Sequence, residues 1–418
     1  MSTGLEQLVA AVQAEADERL AAADADLARL YPGDPATRQP VHTVYVPADA
    51  FEQQTPWRWG AAALELMDDH LPDAAAVTRV TGMDAGLADE VLPRVRRKLA
   101  EQPVEDLRVD FEDGYGRRPD DVEDAHLGSA VEALRTYAGL DGAPSWYGIR
   151  IKCLERDYRH RGLRTLVDAV AGLASGAEVP PGLVLTLPKV TSTDQVEAMV
   201  AACARIEEAL GLADRALGFE IQVETPQAIL GADGRATVAP LVHASAGRCT
   251  GLHYGTFDYS AGLGIAAAHQ TLEHPAADHA KATMQLAAAQ TGVRCSDGST
   301  NVIAFGTADD AASTWALHHR LVTRALERGY YQGWDMHPGH LPTRYLATYA
   351  FFRAALPASA RRLRAYVDQA GGDVMDEPAT ARMLASAVLR GLHCGALDED
   401  EVRSASGLDR DGLVALLR

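Results

Sequence analysis

The sequence is short of cysteine and of positive charge. Five cysteines occur in 418 residues, far apart and without any CxxC spacing, which argues against a structural zinc site and a disulfide framework. It has no run of about 18 uncharged apolar residues, the length that a membrane helix needs. The chain begins MSTGLEQLVA, without the basic start and apolar block of a secretory signal. We therefore expect a soluble, cytoplasmic protein.

The charge balance narrows the range of partners. With 39 basic and 58 acidic residues, the formal net charge is -19. Such a surface repels nucleic acid and anionic membranes, so we expect neither as a partner. A local cationic pocket for a small anionic substrate is still compatible with this composition. No GxGxxG or Walker-type loop follows any β-prone run, which argues against a nucleotide-binding fold.

The middle of the chain alternates between β-prone runs and longer helical stretches. Several runs are almost continuously apolar, which is typical of parallel strands covered on both faces. Eight of them with helical crossovers predict a (β/α)8 TIM barrel, with a doubly wound open sheet as the competing fold. The runs are VHTVYVPA from Val41, LRVDFED from Leu107, YGIRIK from Tyr147, GLVLTLPKV from Gly182, LGFEIQVET from Leu217, CTGLHYGTFD from Cys249, the weaker VRCSDG from Val293, and YQGWDMHP from Tyr331.

Helical segments flank the predicted barrel on both sides. We assign residues 1–40 to an N-terminal helical extension, 41–345 to the barrel and 346–418 to a C-terminal helical segment. The extension has one apolar face, and the tail contains an amphipathic helix that packs on its own barrel or contacts a neighbouring subunit. The apolar positions are Leu5, Leu8, Val9 and Val12 in the extension, and Leu384, Val388 and Leu392 in the tail.

Ionisable residues are concentrated at the carboxyl ends of the predicted strands, where barrel enzymes carry their active sites. Because so many acids would repel each other, we expect a divalent cation, together with Arg150 and Lys189, to balance them. Carboxylates without paired His or Cys ligands suit Mg²⁺. Taken singly, an acid at a strand end is more often a helix cap or a salt-bridge partner than a metal ligand. The residues are Asp110, Glu112, Asp113, Arg150, Lys152, Lys189, Glu224, Asp258, Asp297, Asp335 and His337.

Eight short motifs, in order, resemble those of the citrate lyase β-subunit-like (CitE-like) branch of the HpcH/HpaI aldolase superfamily. Each motif is weak alone, but the ordered set is specific for the superfamily and spans most of the chain. The motifs are VPA at 46–48, DFEDG at 110–114, IRIK at 149–152, LPKV at 187–190, ETP at 224–226, GTFDY at 255–259, MHPGH at 336–340 and VMDEP at 374–378.

The resemblance implies a role for each site residue. Glu224 and Asp258 would bind Mg²⁺, with Mn²⁺ as an alternative, and an oxo acid would chelate the metal. Arg150 would neutralise the enolate oxygen. Asp376 would enter from a neighbouring subunit as a general acid/base, although a helix N-cap explains it equally well. The remaining implied residues are Gly255, Thr256 and Phe257 around the substrate carboxylate, and Glu112, Asp113 and Lys189 as supporting groups.

The implied function is a Mg²⁺-dependent carbon–carbon lyase or aldolase that acts on an oxo acid, or on a coenzyme A thioester, through a metal-stabilised enolate. One alternative is a malate-synthase-like acyltransferase that condenses acetyl-coenzyme A with glyoxylate. Another is a non-catalytic barrel that only binds a metabolite. Related barrels imply a homo-oligomer, either a trimer or a hexamer.

Three features depart from the family pattern. Asp113 stands where class II aldolases carry a histidine base, which argues against that branch. Lys152 stands where the lyase branch has asparagine, so we expect different contacts beside Arg150. About sixty residues separate the first two motifs, which is longer than the family pattern. We expect His337, beside the last strand, to have a structural role.

Overall fold

The strands of the protein form one parallel sheet that closes into a barrel. The computed structural model describes residues 2–368 and 377–417. The sheet order is β7-β6-β5-β4-β3-β2-β1-β8, and a parallel bridge from Ser296 to Gln332 joins the two ends. The (β/α)8 barrel is therefore confirmed, and the open sheet is excluded. The strands are His42–Pro47 (β1), Asp106–Asp110 (β2), Trp146–Arg150 (β3), Leu183–Leu187 (β4), Phe219–Val223 (β5), Cys249–Tyr254 (β6), Arg294–Ser296 (β7) and Gly333–Trp334 (β8).

Helices connect every pair of consecutive strands and cover the outside of the barrel. Three short 3₁₀ turns, at Tyr137–Gly139, Ala267–His269 and Pro338–His340, complete the described secondary structure. The α-helices are Ser2–Leu30 (α1), Thr55–His70 (α2), Ala74–Thr81 (α3), Ala85–Glu101 (α4), Asp120–Arg135 (α5), Arg159–Leu173 (α6), Thr193–Leu210 (α7), Pro226–Ile229 (α8), Val238–Ala244 (α9), Thr256–Gly262 (α10), Pro275–Ala288 (α11), Ala308–Glu327 (α12), Leu341–Val367 (α13), Pro378–His393 (α14), Glu399–Ser406 (α15) and Arg410–Leu416 (α16).

The strand register brings the polar strand ends to one edge. Pro47 pairs with Asp110, Asp110 pairs with Arg150, and Arg150 pairs with Thr186. Every residue of β2 and of β5 is buried, as expected for strands with the barrel interior on one face and helices on the other. The residues that directly follow these strands therefore meet at the carboxyl end of the barrel.

The insertion between the first two motifs folds as three consecutive helices. α2, α3 and α4 all lie between β1 and β2, where a barrel unit needs only one helix. α2 and α4 pack closely, since a Cβ at Gly60 would lie 2.5 Å from the carbonyl oxygen of Leu99. The insertion is thus an enlarged first crossover of the barrel.

The predicted N-terminal helix is present as α1, but its apolar face does not pack on the chain. Every residue from Gly4 to Arg29 is exposed, including Leu5 and Val12, whose exposed fractions are 64% and 59%. Within the described ranges, no helix combines the length and the apolarity needed to cross a bilayer. The homo-oligomeric state stays a prediction.

The C-terminal helices pack against their own chain over the described part of the tail. The predicted apolar residues Leu384, Val388 and Leu392 are buried in α14. The Tyr349 hydroxyl of α13 donates to the carbonyl oxygen of Cys394 at 2.9 Å. α14 therefore belongs to the core of this subunit.

Asp335, at the end of β8, is the centre of a buried polar cluster. Its carboxylate accepts hydrogen bonds from Arg344 at 2.8 Å, and it contacts His42 at 3.0 Å and His318 at 3.1 Å. His318 stacks on His340 with ring centroids 4.4 Å apart. Burial acts to raise the pKa of Asp335, but Arg344 and the histidines hold it well below the ordinary value. Contrary to expectation, Asp335 joins β8 to α12 and α13 and is unavailable to the rim.

Two histidines of this region give the folded state a pH dependence. Burial lowers the pKa of His319 to about 4 and, together with His318, that of His340 to about 3. The unfolded chain takes up these protons near pH 6.5 and the folded chain does not, so their contribution to stability is complete above pH 6.5 and decreases toward pH 4. The free energy of unfolding in urea should be roughly 1–2 kcal/mol lower at pH 5 than at pH 7 for each such histidine.

The variant His319→Gln isolates this contribution. Its free energy of unfolding should change less between pH 7 and pH 5 than that of the native chain. The exposed His279 is the matched control, and His279→Gln should keep the native pH dependence. An unchanged dependence in His319→Gln would contradict the assignment.

Candidate active site

Arg150, the last residue of β3, is held inside the barrel by Asp110 at the end of β2. Its Nε and Nη2 donate to the two oxygens of Asp110 at 2.6 and 2.7 Å, and its Nη1 donates to Gln222 Oε1 at 3.2 Å. The guanidinium lies over the rings of Tyr45 and Trp334. Burial disfavours the charge, but the Asp110 contact raises the pKa of Arg150 well above its ordinary value. Arg150 is a fixed cation with three of five donors engaged here.

Asp110 also shapes the loop that follows β2. Its carboxylate accepts the backbone N–H groups of Glu112 and Gly114, both at 2.9 Å. A Cβ at Gly114 would lie 2.8 Å from the same carboxylate, so glycine allows this close approach. The loop carries Glu112 and Asp113 to the carboxyl end of the barrel.

Lys189, just after β4, links three of the loops at this end. Its Nζ lies 2.8 Å from Asp113, 2.9 Å from Asp258 and 3.8 Å from Glu112. Its φ of 51° is in the left-handed region, a conformation that non-glycine residues adopt at a cost of about 1 kcal/mol or more. Burial disfavours the ammonium, but Glu224 and Glu112 raise the pKa of Lys189 above its ordinary value. Lys189 therefore stays charged among four carboxylates.

Glu224, directly after β5, is a buried carboxylate in close contact with the loop after β6. One of its oxygens accepts the backbone N–H of Lys189 at 2.8 Å. Burial raises the pKa of Glu224 to about 7, against the opposing effect of Lys189 and Arg150, and Asp258 adds to the rise. A Cβ at Gly255 would lie 2.3 Å from Glu224 Cβ and 2.6 Å from its Oε2. Gly255 thus leaves just enough space for this carboxylate.

The first turn of α10 carries the other predicted residues of this loop. The hydroxyl of Thr256 accepts the N–H of Ser299 and donates to its carbonyl, both at 3.1 Å, and is buried. Asp258 leaves 47% of its side chain exposed, and Phe257 is half-buried between them. The first-turn N–H groups of a helix have no intrahelical acceptor. Thr256 therefore fixes the loop, while Asp258 faces solvent next to the buried Glu224.

Glu112 and Asp113 share their charge unequally. The N–H of Asp113 donates to Glu112 Oε2 at 2.8 Å. Burial and the neighbouring Asp113 raise the pKa of Glu112 to about 9. Burial opposes ionisation of Asp113 as well, but Glu112 and Lys189 lower its pKa overall. The surroundings therefore favour ionisation of the more exposed Asp113 over ionisation of Glu112.

Most of the predicted site residues therefore lie together at the carboxyl end of β2 to β6. Asp376 lies outside the described residues, and its role stays a prediction. The residues brought together are Glu112, Asp113, Arg150, Lys189, Glu224, Gly255, Phe257 and Asp258.

Other ionisable groups at the strand ends are already engaged. Lys152 donates to the carboxylate of Glu123 at 2.8 Å and to the carbonyl of Phe111 at 2.6 Å. Asp297 forms a buried ion pair with Lys281 at 3.1 Å. The rim is thus less crowded with free charge than the sequence predicts.

His337 has the structural role that was predicted for it. Its Nδ1 accepts the N–H of Gly339 at 3.0 Å, and its ring stacks on Phe305 with centroids 5.1 Å apart. These contacts form the turn that leads from β8 to α13. The side chain therefore holds the backbone after the last strand.

The groups that orient Arg150 were not predicted from the sequence. Gln222 precedes Glu224 by two residues, and alternation along a strand puts both side chains on one face. That periodicity was available in the sequence. The stacking of Tyr45 and Trp334 on Arg150 was not, because β1 and β8 lie two and three strands away from β3 in the sheet, and only the folded barrel brings these side chains together.

A family model described as a domain of unknown function, DUF6986, matches residues 20–418 of the sequence. The chain belongs to the DUF6986 family. The match covers the end of α1, the whole barrel and the C-terminal helices. Among curated proteins, no match to the sequence is found.

Solved structures similar to this DUF6986 protein include enzymes of the expected superfamily. A citrate lyase from Burkholderia xenovorans LB400 has a TM-score of 0.59 and 18% identity, covering 89% of this chain and 97% of that one. A CitE from Mycobacterium tuberculosis in complex with magnesium, acetoacetate and coenzyme A has a TM-score of 0.48 and 19% identity, covering 86% and 100%. A malate synthase pyruvate/acetyl-CoA ternary complex from Haloferax volcanii has a TM-score of 0.47 and 13% identity, covering 74% and 70%. At the level of fold, the predicted resemblance is confirmed.

The donor set around Glu224 fits a hard divalent cation. Both predicted ligands offer carboxylate oxygens, which Mg²⁺ prefers, and Gly255 keeps the space beside Glu224 Oε2 free of a side chain. The one described group of three potential metal ligands, formed by His318, Asp335 and His340, is elsewhere in the DUF6986 fold. Arg344 already neutralises Asp335 there, so that cluster suits hydrogen bonding better than a metal.

The space at Gly255 can be tested by adding one methyl group. In Gly255→Ala, the new Cβ would collide with Glu224, and such overpacking costs about 1–3 kcal/mol. Gly128 is the control because it lies on the exposed face of α5 with nothing within 4 Å of its added Cβ. Gly128→Ala should stabilise the protein by about 0.5–1 kcal/mol, since alanine favours a helix. Urea unfolding checks both, and equal effects of the two variants would contradict the close packing.

Proposed function

We propose that this protein is a Mg²⁺-dependent lyase or aldolase that cleaves or forms a carbon–carbon bond next to the carbonyl of an oxo acid. The observation that carries the proposal is the buried Glu224, placed beside Asp258 and Arg150 at the carboxyl end of the barrel. The ordered motifs and the fold of the Burkholderia citrate lyase support the same chemistry. A coenzyme A thioester as the substrate is the narrower form of the proposal.

Glu224 and Asp258 would hold the cation through carboxylate oxygens. When bound, Mg²⁺ supplies Lewis-acid polarisation of the substrate carbonyl. The two ligands differ usefully in exposure: Glu224 is buried and fixed by the N–H of Lys189, while Asp258 faces solvent. Substrate oxygens and water can then approach from the open side, as expected for a cation that is held by only one or two carboxylates.

Arg150 would stabilise the negative charge that develops on the substrate carbonyl oxygen. Its orientation is set before any substrate arrives, because Asp110 and Gln222 hold the guanidinium and two rings cover it. A donor of fixed position pays no reorganisation when the charge appears, which is the basis of electrostatic catalysis. The N–H groups of the first turn of α10 would receive the substrate carboxylate.

Lys189 would keep the acidic loops together during substrate binding and turnover. It contacts Asp113 and Asp258 directly, so it lowers their mutual repulsion. Glu112, whose pKa is raised to about 9 by burial and by Asp113, can retain a proton at neutral pH. Glu112 and Asp113 would then orient water near the metal and would not bind the metal themselves.

The metal assignment is tested by Glu224→Gln, which keeps the shape and removes the charge. Mg²⁺ should raise the melting temperature of the native protein, and the affinity measured by calorimetry should be at least tenfold weaker in the variant, about 1.4 kcal/mol. The control is Glu197→Gln, at an exposed position of α7. It should bind Mg²⁺ as the native protein does. Equal Mg²⁺ affinity in all three proteins would refute the site.

The role of Arg150 is tested by Arg150→Lys, which keeps a positive charge but loses the paired donors. We expect kcat/KM for oxo acid cleavage to fall about 100-fold, as when one stabilising donor is removed. Mg²⁺ binding should persist. Arg205→Lys is the control, because Arg205 is an exposed arginine of α7. A normal kcat/KM in Arg150→Lys would remove Arg150 from the mechanism.

The same assays separate the reactions that the sequence left open. Cleavage of an oxo acid that needs Mg²⁺ supports the lyase, and release of free thiol from acetyl-coenzyme A only with glyoxylate would assign the acyltransferase instead. Binding of oxo acids without turnover of any substrate would leave a metabolite-binding barrel.

A further inference from the structure

A cavity lies at the end of the barrel where the strands begin, opposite the candidate active site. Its volume is about 770 Å³, within the range of about 300–1,000 Å³ that is common for small-molecule sites. The first residues of β3, β4, β6 and β7 line it, together with the segment that follows α1. None of the proposed catalytic or metal-binding residues contributes to it. This amino-terminal cavity is therefore separate from the candidate active site.

A proline-rich segment forms one wall of the amino-terminal cavity. Residues 31–40 contain Pro32, Pro35 and Pro40, which fix the backbone φ angle. Gly33 donates its N–H to the carbonyl of Gln290 at 2.8 Å, and further contacts fasten the segment near β7. A wall that is already ordered loses little conformational entropy when a ligand binds.

The lining of the cavity is cationic in a strongly acidic protein. Two carboxylates reach it, and both contact Arg108 at the inner end, whose single positive charge offsets one of their two negative charges. The other three arginines and His243 lie nearer the outer end. The four arginines are Arg29, Arg108, Arg215 and Arg294, and the two carboxylates are Asp106 and Glu220. Arg29 pairs with Asp26 at 2.8 Å and Arg215 lies 4.0 Å from Asp214, so Arg294 is the arginine of this lining that most favours an anion.

Arg294 is the least neutralised of these cations. Its guanidinium donates to the carbonyl oxygens of Thr37 and Arg38. Within residues 2–368 and 377–417, no carboxylate oxygen lies within 4.0 Å of it. Burial and then the neighbouring Arg390 lower the pKa of Arg294 to about 10, with Asp34 opposing them. A bound anion would supply the missing counter-charge.

Apolar side chains also line the cavity. Trp146, Leu183, Val184 and Val293 contribute to the walls beside the proline-rich segment. We propose that the amino-terminal cavity binds a small organic anion, a carboxylate or a phosphate ester with an apolar body, at a site independent of the metal centre. The apolar walls take the body of the ligand, and the outer arginines take its head group. Neither the apolar body nor the anionic head group of the ligand would contact the whole lining by itself.

Calorimetric titration with 1-naphthyl phosphate and 1-naphthoate tests this site, with inorganic phosphate and 1-naphthol as half-ligands. We expect saturable one-to-one binding of the two complete probes, and at least tenfold weaker binding of either half-ligand. Whichever of the two complete probes binds more tightly identifies the head group, phosphate or carboxylate, that the site prefers. Binding should not need Mg²⁺ and should persist in Glu224→Gln, so its failure is distinguishable from failure of the proposed metal site.

The double variant Arg215→Glu/His243→Glu reverses charge at the outer end and leaves Arg294 in place to hold the wall. We expect it to weaken probe binding at least tenfold. Arg205→Glu is the control, because Arg205 is exposed and does not line the cavity. As a second measurement on the native protein, the probe should slow amide exchange in residues 33–39. Absence of saturable binding, equal affinity in the double variant and the control, or unchanged exchange in this segment would each overturn the proposal.

Discussion

The bidentate ion pair between Asp110 and Arg150 is the interaction on which the rest of the site depends. Two charges this deeply buried are tolerated only when each satisfies the other, since removing one partner leaves an uncompensated charge that costs about 3–5 kcal/mol. Asp110 uses its remaining capacity to bind the N–H groups of Glu112 and Gly114. One carboxylate therefore fixes both the guanidinium of Arg150 and the acidic loop beside it.

Below this pair, the barrel interior continues as a polar core rather than an apolar one. The ring of Tyr45 lies beneath Arg150, and its hydroxyl donates to Glu220 at 3.1 Å. Glu220 in turn contacts Arg108 and His253, which reach the amino-terminal cavity. Because each buried polar group finds its partner on another strand, the network specifies strand register. The polar core thus gives the carboxyl end of the barrel a rigid base.

The sequence was sufficient for the barrel because apolar runs and helical crossovers are local patterns, and β2 to β6 follow them closely. It was weaker where tertiary closure decides the structure: β7 and β8 are only three and two residues long. For the site, spacing located the strand-end acids. It could not show that Asp297 and Asp335 are neutralised by Lys281 and Arg344, because these partners lie on helices whose packing only the fold defines.

The charge balance at the carboxyl end explains why this arrangement suits a cation. Arg150 is largely neutralised by Asp110, so Lys189 remains as the main counter-charge for Glu112, Asp113, Glu224 and Asp258. One ammonium cannot balance four carboxylates in a partly buried site. Burial, together with the neighbouring carboxylates, raises the pKa of Glu112 to about 9 and that of Glu224 to about 7. A divalent cation beside Glu224 would restore the balance and favour its ionised form. The same imbalance would thus become the driving force for binding a hard metal.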